Sequence, residues 1–283
     1  MKRENQGSYN VSISDTENPL GIHGLEEPME MILETKNLEK RYRSVCAVDK
    51  VSLSIQRGDI FGFVGANGAG KTTFMRMVCG LVRPTGGEMK LFGASSEKEL
   101  QQKRKKMGAL IEHPAIYTNL SAYQNLDIQR RYLDMDSGKN GKEVKKTLTE
   151  LLDLVGLADV GDRKAGKFSL GMRQRLGIAI ALVGQPEFLI LDEPTIGLDP
   201  IGVMELRELV HRLNREREIT ILFSSHNLAE LAQIATRYGF LHKGKLLEVV
   251  SAEEVGQICR DRGINLETYF VELLLKAQGG RKG

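Results

Sequence analysis

Two short segments of this chain carry the residue types that bind phosphate and a divalent metal. The first is Gly65-Ala66-Asn67-Gly68-Ala69-Gly70-Lys71-Thr72, which fits the pattern G-x-x-x-x-G-K-[ST]. Glycines at these places let the backbone curl until successive N–H groups face inward, as phosphate oxygens require. A helix opening near Lys71 adds the positive end of its dipole. Lys71 has the reach for β- and γ-phosphates, and the Thr72 hydroxyl suits Mg2+. An ordinary glycine-rich turn would explain the glycines. It would not explain the Lys71-Thr72 pair, the apolar run Ile60–Val64 before it or the apolar helix after it. The expected triphosphate cradle is Gly65, Asn67, Gly68, Ala69, Gly70, Lys71, Thr72 and Thr73.

The second segment is Phe188-Leu189-Ile190-Leu191-Asp192-Glu193. Four apolar residues followed by two acids describe a buried strand that ends in carboxylates. Beside a phosphate loop, Asp192 is placed to hold Mg2+ through water. Glu193 is placed to accept a proton from the attacking water or to orient it, and a positioned base contributes typically ~10²–10⁴-fold. A solvated strand end would be the plain explanation if no phosphate loop stood in the same chain.

The elements that must position these residues follow from periodicity. Ile32–Leu38, Val51–Ile55 and Ile60–Val64 are short apolar or alternating runs, which predicts strands. Thr72–Leu81 reads as a helix closed by the Pro84–Gly87 turn. Ser121–Leu133 and Lys142–Val155 are helical in period, with a polar loop over Asp134–Gly141 between them. Ser121 with Gln124 fits a capping box, and Ser169 can cap a helix running to about Val183. The alternation then resumes: strand Phe188–Leu191, helix Gly202–Arg217, strand Ile219–Ser224, helix Leu228–Thr236, and a hairpin of Phe240–His242 with Lys245–Val249. Two amphipathic helices, near Ala252–Arg262 and Leu266–Lys276, end the chain. The predicted fold is α/β, a mostly parallel sheet with antiparallel edge strands and an inserted α-helical subdomain at about 113–183. Its ligand site lies beyond the carboxyl ends of the strands. Residues 1–30 read as a flexible tail, 31–250 as the main domain and 251–283 as a helical tail.

Composition narrows the classes. At 283 residues, 41% hydrophobic and 27% charged, the chain can build a sizeable core and is not disordered throughout. Lys plus Arg is 40 and Asp plus Glu is 37, a net charge of +3, which argues against nucleic acid as the main partner. Cys46, Cys79 and Cys259 lie far apart, so neither a disulfide framework nor a zinc site is expected. The best uncharged stretches, Ile60–Gly70 and Leu176–Pro186, are too short to span a membrane, and the polar start MKRENQGSYN argues against a secretory signal. His23, His113, His211 and His242 belong to no motif, Cys79 reads as core, and Lys103–Lys106 reads as a solvated face.

Four further segments carry a family resemblance. Lys167-Phe168-Ser169-Leu170-Gly171-Met172-Arg173-Gln174-Arg175 resembles the signature turn of ABC transporter ATPases. Gly197-Leu198-Asp199 follows Asp192-Glu193-Pro194-Thr195 as the D-loop of that family does, and Ser224-Ser225-His226 ends a strand as its switch histidine does. Tyr42 stands where the family places an aromatic against adenine. The resemblance covers about Ile32 to Val250 and implies a RecA-like phosphate-loop NTPase core that uses ATP and Mg2+.

It further implies a head-to-tail dimer in which Ser169 and Gly171 of one subunit grip the nucleotide of the other. His226 then contacts the γ-phosphate and Asp199 links the two sites. It also implies separate membrane permease subunits and a place on the cytoplasmic face of the membrane. Two departures stand out. Glu112 replaces the usual glutamine of the loop before the helical subdomain, adding a candidate metal ligand, and Leu170 and Met172 replace the usual Gly and Gln of the signature. Both are similar to the bacitracin-export and lantibiotic-immunity subgroup, which implies export of a peptide antibiotic. Two rivals are an ABC-like ATPase acting on nucleic acid or ribosomes and a regulatory subunit with little turnover. The first usually carries long coiled coils or two such domains, and Glu193 with His226 speaks against the second.

Overall fold

The computed structural model describes residues 30–135 and 141–279. The expected tail at 1–30 lies outside these residues except for Glu30, as does most of the loop expected over Asp134–Gly141. In chain order the elements are β1 (Met31–Tyr42), β2 (Val45–Gln56), β3 (Ile60–Val64), α1 (Lys71–Val78), β4 (Gly86–Leu91), α2 (Glu97–Lys103) and β5 (Met107–Leu110). Then come α3 (Ala122–Tyr132), α4 (Gly141–Leu154), α5 (Leu170–Leu182), β6 (Phe188–Asp192), α6 (Pro200–Arg217) and β7 (Thr220–Ser225). The last are α7 (Leu228–Leu231), β8 (Arg237–His242), β9 (Lys245–Ser251), α8 (Ala252–Arg262) and α9 (Leu266–Gly279).

The strands form two sheets. One is antiparallel, in the order β2-β1-β4; the other runs β5-β6-β7-β3-β8-β9 and is parallel except for β9. Both faces of the larger sheet are covered, and its central strands β3, β6 and β7 are therefore buried at every position rather than alternating. In β3, Phe61 and Phe63 join the core shared with the antiparallel sheet and α1, whereas Ile60 and Val64 face the core shared with the helices. In β6, Phe188 and Ile190 take the first side, and Leu189 and Leu191 the second. Helices α3, α4 and α5 cluster against the second core through Leu126, Leu148, Leu152 and Leu176. The Ser121–Gln124 capping box opens α3 as expected.

Register decides what meets at the carboxyl edge. Val64 pairs with Ser225, and Asp192 pairs with Ser224, so the ends of β3, β7 and β6 lie level. The chain leaving β3 therefore enters the glycine loop directly above the two acids.

Several elements differ from expectation. β4, α2 and β5 were not legible: β4 begins with two glycines, α2 buries only Leu100, and β5 has four residues including Gly108. β5 exists because β6 supplies its partners from Phe188 to Leu191. The helix expected over Leu228–Thr236 stops at Leu231. Thr236, immediately before β8, is tied to β3 instead: its N–H donates to the Ile60 carbonyl at 2.8 Å and its hydroxyl oxygen accepts from the Ile60 N–H at 3.0 Å.

The last helix is fastened near its start. The Tyr269 hydroxyl donates to Glu248 Oε2 on β9 at 2.8 Å, and Phe270 stacks on Phe240 with ring centroids 5.4 Å apart. Burial, then the carboxylate of Glu248, pushes the Tyr269 phenol up to about 12 from an ordinary value of 10.0. Below pH ~10 both folded and unfolded chains keep this proton, so the contribution to stability is whole. Between pH ~10 and ~12 only the unfolded chain releases it, and stability falls as pH rises. Tyr269→Phe is expected to lower stability by about 0.5–1.5 kcal/mol at pH 8 and to remove a late step from the tyrosinate absorbance titration.

Candidate functional site

The loop after β3 is held by close backbone packing. A side chain at Gly70 would meet the Ala47 carbonyl at 2.3 Å, and Gly70 has φ +109°. One at Gly65 would meet the Leu241 carbonyl at 2.6 Å. The Gly244 N–H donates to the Ala69 carbonyl at 2.8 Å, and the Asp49 N–H donates to the Gly244 carbonyl at 2.8 Å. The β8–β9 turn thus clasps the loop to β2. At the tip, Asn67 and Gly68 are exposed, with open space over Gly68. Thr73 lies half-buried in the first turn of α1.

Helix α1 starts at Lys71 with no side-chain cap and no acid in its first turn. Its first N–H groups have no intrahelical partners, and together with the dipole they form a site ready for an anion.

Beneath the loop the polar side chains form one connected network. The Thr72 hydroxyl donates to Asp192 Oδ2 at 2.7 Å, and the Ser224 hydroxyl donates to Asp192 Oδ1 at 2.6 Å. The Glu193 N–H donates to Ser224 Oγ at 2.9 Å. Glu193 Oε2 lies 2.8 Å from His226 Nδ1, and Glu193 Oε1 lies 2.9 Å from Lys71 Nζ. Lys71 is 5% exposed and also donates to the Gly65 carbonyl. Glu193 adopts φ +49°, a region non-glycine residues visit rarely; strain of this kind is concentrated at functional sites. Its Oε1 is buried and, despite the nearby Lys71 charge, has no well-oriented hydrogen bond. That orphaned oxygen, with the hard oxygen donors of Thr72 and Asp192, fits an Mg2+–phosphate group.

The other expected residues stand elsewhere. Ser169 caps α5, its hydroxyl oxygen accepting from the Met172 N–H at 3.2 Å, and Asp199 caps α6, accepting from the Gly202 N–H at 2.8 Å. With Gly171 and Gly197 they line a single cleft that includes none of the cradle residues. Leu170 lies over Gly197, 2.5 Å from where a Cβ would be, so the two motifs are packed on each other. Tyr42 is 44% exposed at the end of β1, with Lys40 Nζ 5.0 Å from its ring centre. Its β2 partner Val45 is two residues from Ala47, whose carbonyl closes on Gly70. Glu112 is half-exposed and ion-paired with Arg76 at 2.7 Å.

Ser224 is the residue that sequence reasoning left without a role. It bridges both acids, and its signal was its place one strand over from Asp192, which only the register reveals.

The family described as ABC transporter matches residues 48–196. The bacitracin transport ATP-binding protein BcrA of Bacillus licheniformis is 46% identical over 222 residues, 78% of this chain and 70% of that protein. The lantibiotic transport ATP-binding protein SrtF of Streptococcus pyogenes is 41% identical over 217 residues, 76% of this chain and 89% of that protein. Among solved structures, a dimeric ATP-binding cassette in a post-hydrolysis state with ADP and Pi matches with a TM-score of 0.71 and 25% identity, covering 78% of this chain and 98% of that one. An ATP-binding subunit of an ABC transporter matches with a TM-score of 0.73 and 28% identity, covering 86% of this chain and 99% of that one.

Ser224→Ala tests the network. Removing the hydroxyl lets Asp192 turn, and supporting residues of this kind typically matter about 10–100-fold. A fluorescent adenine nucleotide is expected to bind about that much more weakly in magnesium and unchanged in EDTA.

Proposed function

The chain belongs to the ABC transporter family of ATP-binding subunits, which are ATPases, and on that premise we propose how its own residues bind and cleave ATP and what that work drives. The observation that carries the reading is the network joining Lys71, Thr72, Asp192, Ser224, Glu193 and His226 at one sheet edge.

In the free chain Lys71 and Glu193 neutralise each other's charge. A triphosphate entering the cradle offers Lys71 a stronger anionic partner and releases Glu193 Oε1. The freed carboxylate then holds the attacking water and takes its proton. His226, anchored through Nδ1 to the same carboxylate, turns its far side to the γ-phosphate. Tyr42 covers the adenine. Thr72, Asp192 and Glu112 would hold Mg2+, which when bound neutralises the phosphate charge that develops during transfer.

Ser169 and Gly171 stand in a cleft apart from the cradle of their own chain, which supports a composite site. Two subunits meet head to tail, each ATP lying between one cradle and the partner's α5 N-terminus, where the open N–H groups favour anions. Asp199 joins the two sites across the interface. The dimeric ADP-and-phosphate cassette that this chain resembles supports this arrangement.

No helix among the described residues is long and apolar enough to cross a membrane. The family to which the chain belongs supports a reading in which the work of closure goes to separate permease subunits, docked at the helical region and the Glu112 loop on the cytoplasmic face of the membrane. The bacitracin and lantibiotic transport proteins that the chain resembles support the substrate class. It is a membrane-active peptide antibiotic, moved outward.

Glu193→Gln is expected to cut ATP hydrolysis by about 10²–10⁴-fold while ATP-bound dimer accumulates in size-exclusion chromatography. Unchanged hydrolysis, or no dimer with ATP, would reject the mechanism. Deletion in the host, with the permease genes intact, is expected to raise sensitivity to bacitracin or a lantibiotic. Unaltered sensitivity across a panel of both would reject the substrate class.

A further inference from the structure

Glu112 occupies a pivot. Leu110, the last residue of β5, pairs with Leu191, and Glu112 follows two residues beyond that strand end, as Glu193 follows two residues beyond Leu191. It has φ +62°, again a region rare for non-glycine residues. Two residues on, Pro114 packs so tightly on α5 that a side chain at Gly177 would meet it at 2.7 Å. The residue therefore joins a core strand to the helical region.

Its carboxylate does not stand free. Arg76 Nη2 is 2.7 Å from Glu112 Oε1. Arg76 belongs to α1, four residues after Thr72, and so lies on the same helix face one turn further from the cradle. The side chains of Arg76 and Glu112 are 36% and 53% exposed, and ion pairs in such surroundings are weak and exchange readily.

We propose that Arg76 is the positioning residue for Glu112: its guanidinium holds the carboxylate one helical turn away from Thr72 and Asp192, and the divalent cation that accompanies the nucleotide competes with Arg76 for it. The inference rests on the reading of Thr72 and Asp192 as the metal-facing pair. A glutamine at position 112 would carry no charge for Arg76 to hold, so the device is specific to the acidic loop.

The test is an electron paramagnetic resonance titration of Mn2+ into the full chain bound to a non-hydrolysable ATP analogue. Arg76→Gln, a change between good helix formers, is expected to lower the half-saturating Mn2+ concentration about two- to fivefold by removing the competitor. Arg76→Lys, which keeps the charge without the planar fork, is expected to fall between Gln and the natural residue. In a Glu112→Gln background, Arg76→Gln is expected to have no effect. A second readout is amide hydrogen exchange at 111–113 without nucleotide, expected to be faster in Arg76→Gln.

An unchanged Mn2+ response in Arg76→Gln, a weaker one, or the same shift with Glu112→Gln present would overturn the role of Arg76. Analogue binding in EDTA separates the two levels. If the natural chain does not bind the analogue at all, the nucleotide reading falls and this inference with it. If binding persists and only the Mn2+ response fails to move, the Arg76 role alone falls.

Discussion

A lysine ammonium nearly sealed from solvent is the constraint around which this molecule is organised. Lys71 is 5% exposed and meets a single carboxylate, that of Glu193. Burying a charge costs several kcal/mol unless an opposite charge and hydrogen bonds stand ready, so each neighbouring element has to be placed with care. β3 must deliver the loop, β6 must deliver the acids, and β7 must lie between them so that Ser224 ties Asp192 to the Glu193 backbone. Their mutual register meets all three demands at one edge. A shift of one residue in β6 would turn Asp192 to the other face of the sheet and leave Lys71 without its surroundings.

Much of the chemistry was legible because it resides in short contiguous segments. The glycine loop, Asp192-Glu193 and Ser169 announce themselves through residue type and spacing alone, and the large apolar strands do the same through their uniform hydrophobicity. What stayed hidden depends on partners distant in sequence. β5 has four residues and no pattern of its own; its strand conformation comes from pairing with β6, some eighty positions later. The early end of α7 has the same origin, since Thr236 is claimed by Ile60 on another strand. Ser224 and Arg76 were missed for a related reason. A lone serine or arginine carries no periodic signal, and each gains its meaning from a side chain that folding brings close.

The cleft between α5 and α6 shows how local capping and a larger surface share residues. Ser169 and Asp199 each complete a helix start, a role worth about 0.5–2 kcal/mol at such positions. The same residues line the cleft, and Leu170 seated over Gly197 makes the two helix starts a single packed unit. Leucine at position 170 therefore has a structural meaning within the chain: the two turns are coupled by contact.

The uncapped start of α1 has a consequence for the life of the protein in a cell. Most helices close their first turn with a side chain of their own, but here Gly70 offers none. A ligand that supplies the missing acceptor acts as part of the fold, and at a hundred times its dissociation constant it adds about 2.7 kcal/mol to the native state. In a cell, occupancy and stability are thereby linked: each shift in ligand concentration moves the folded population as well as the filled one.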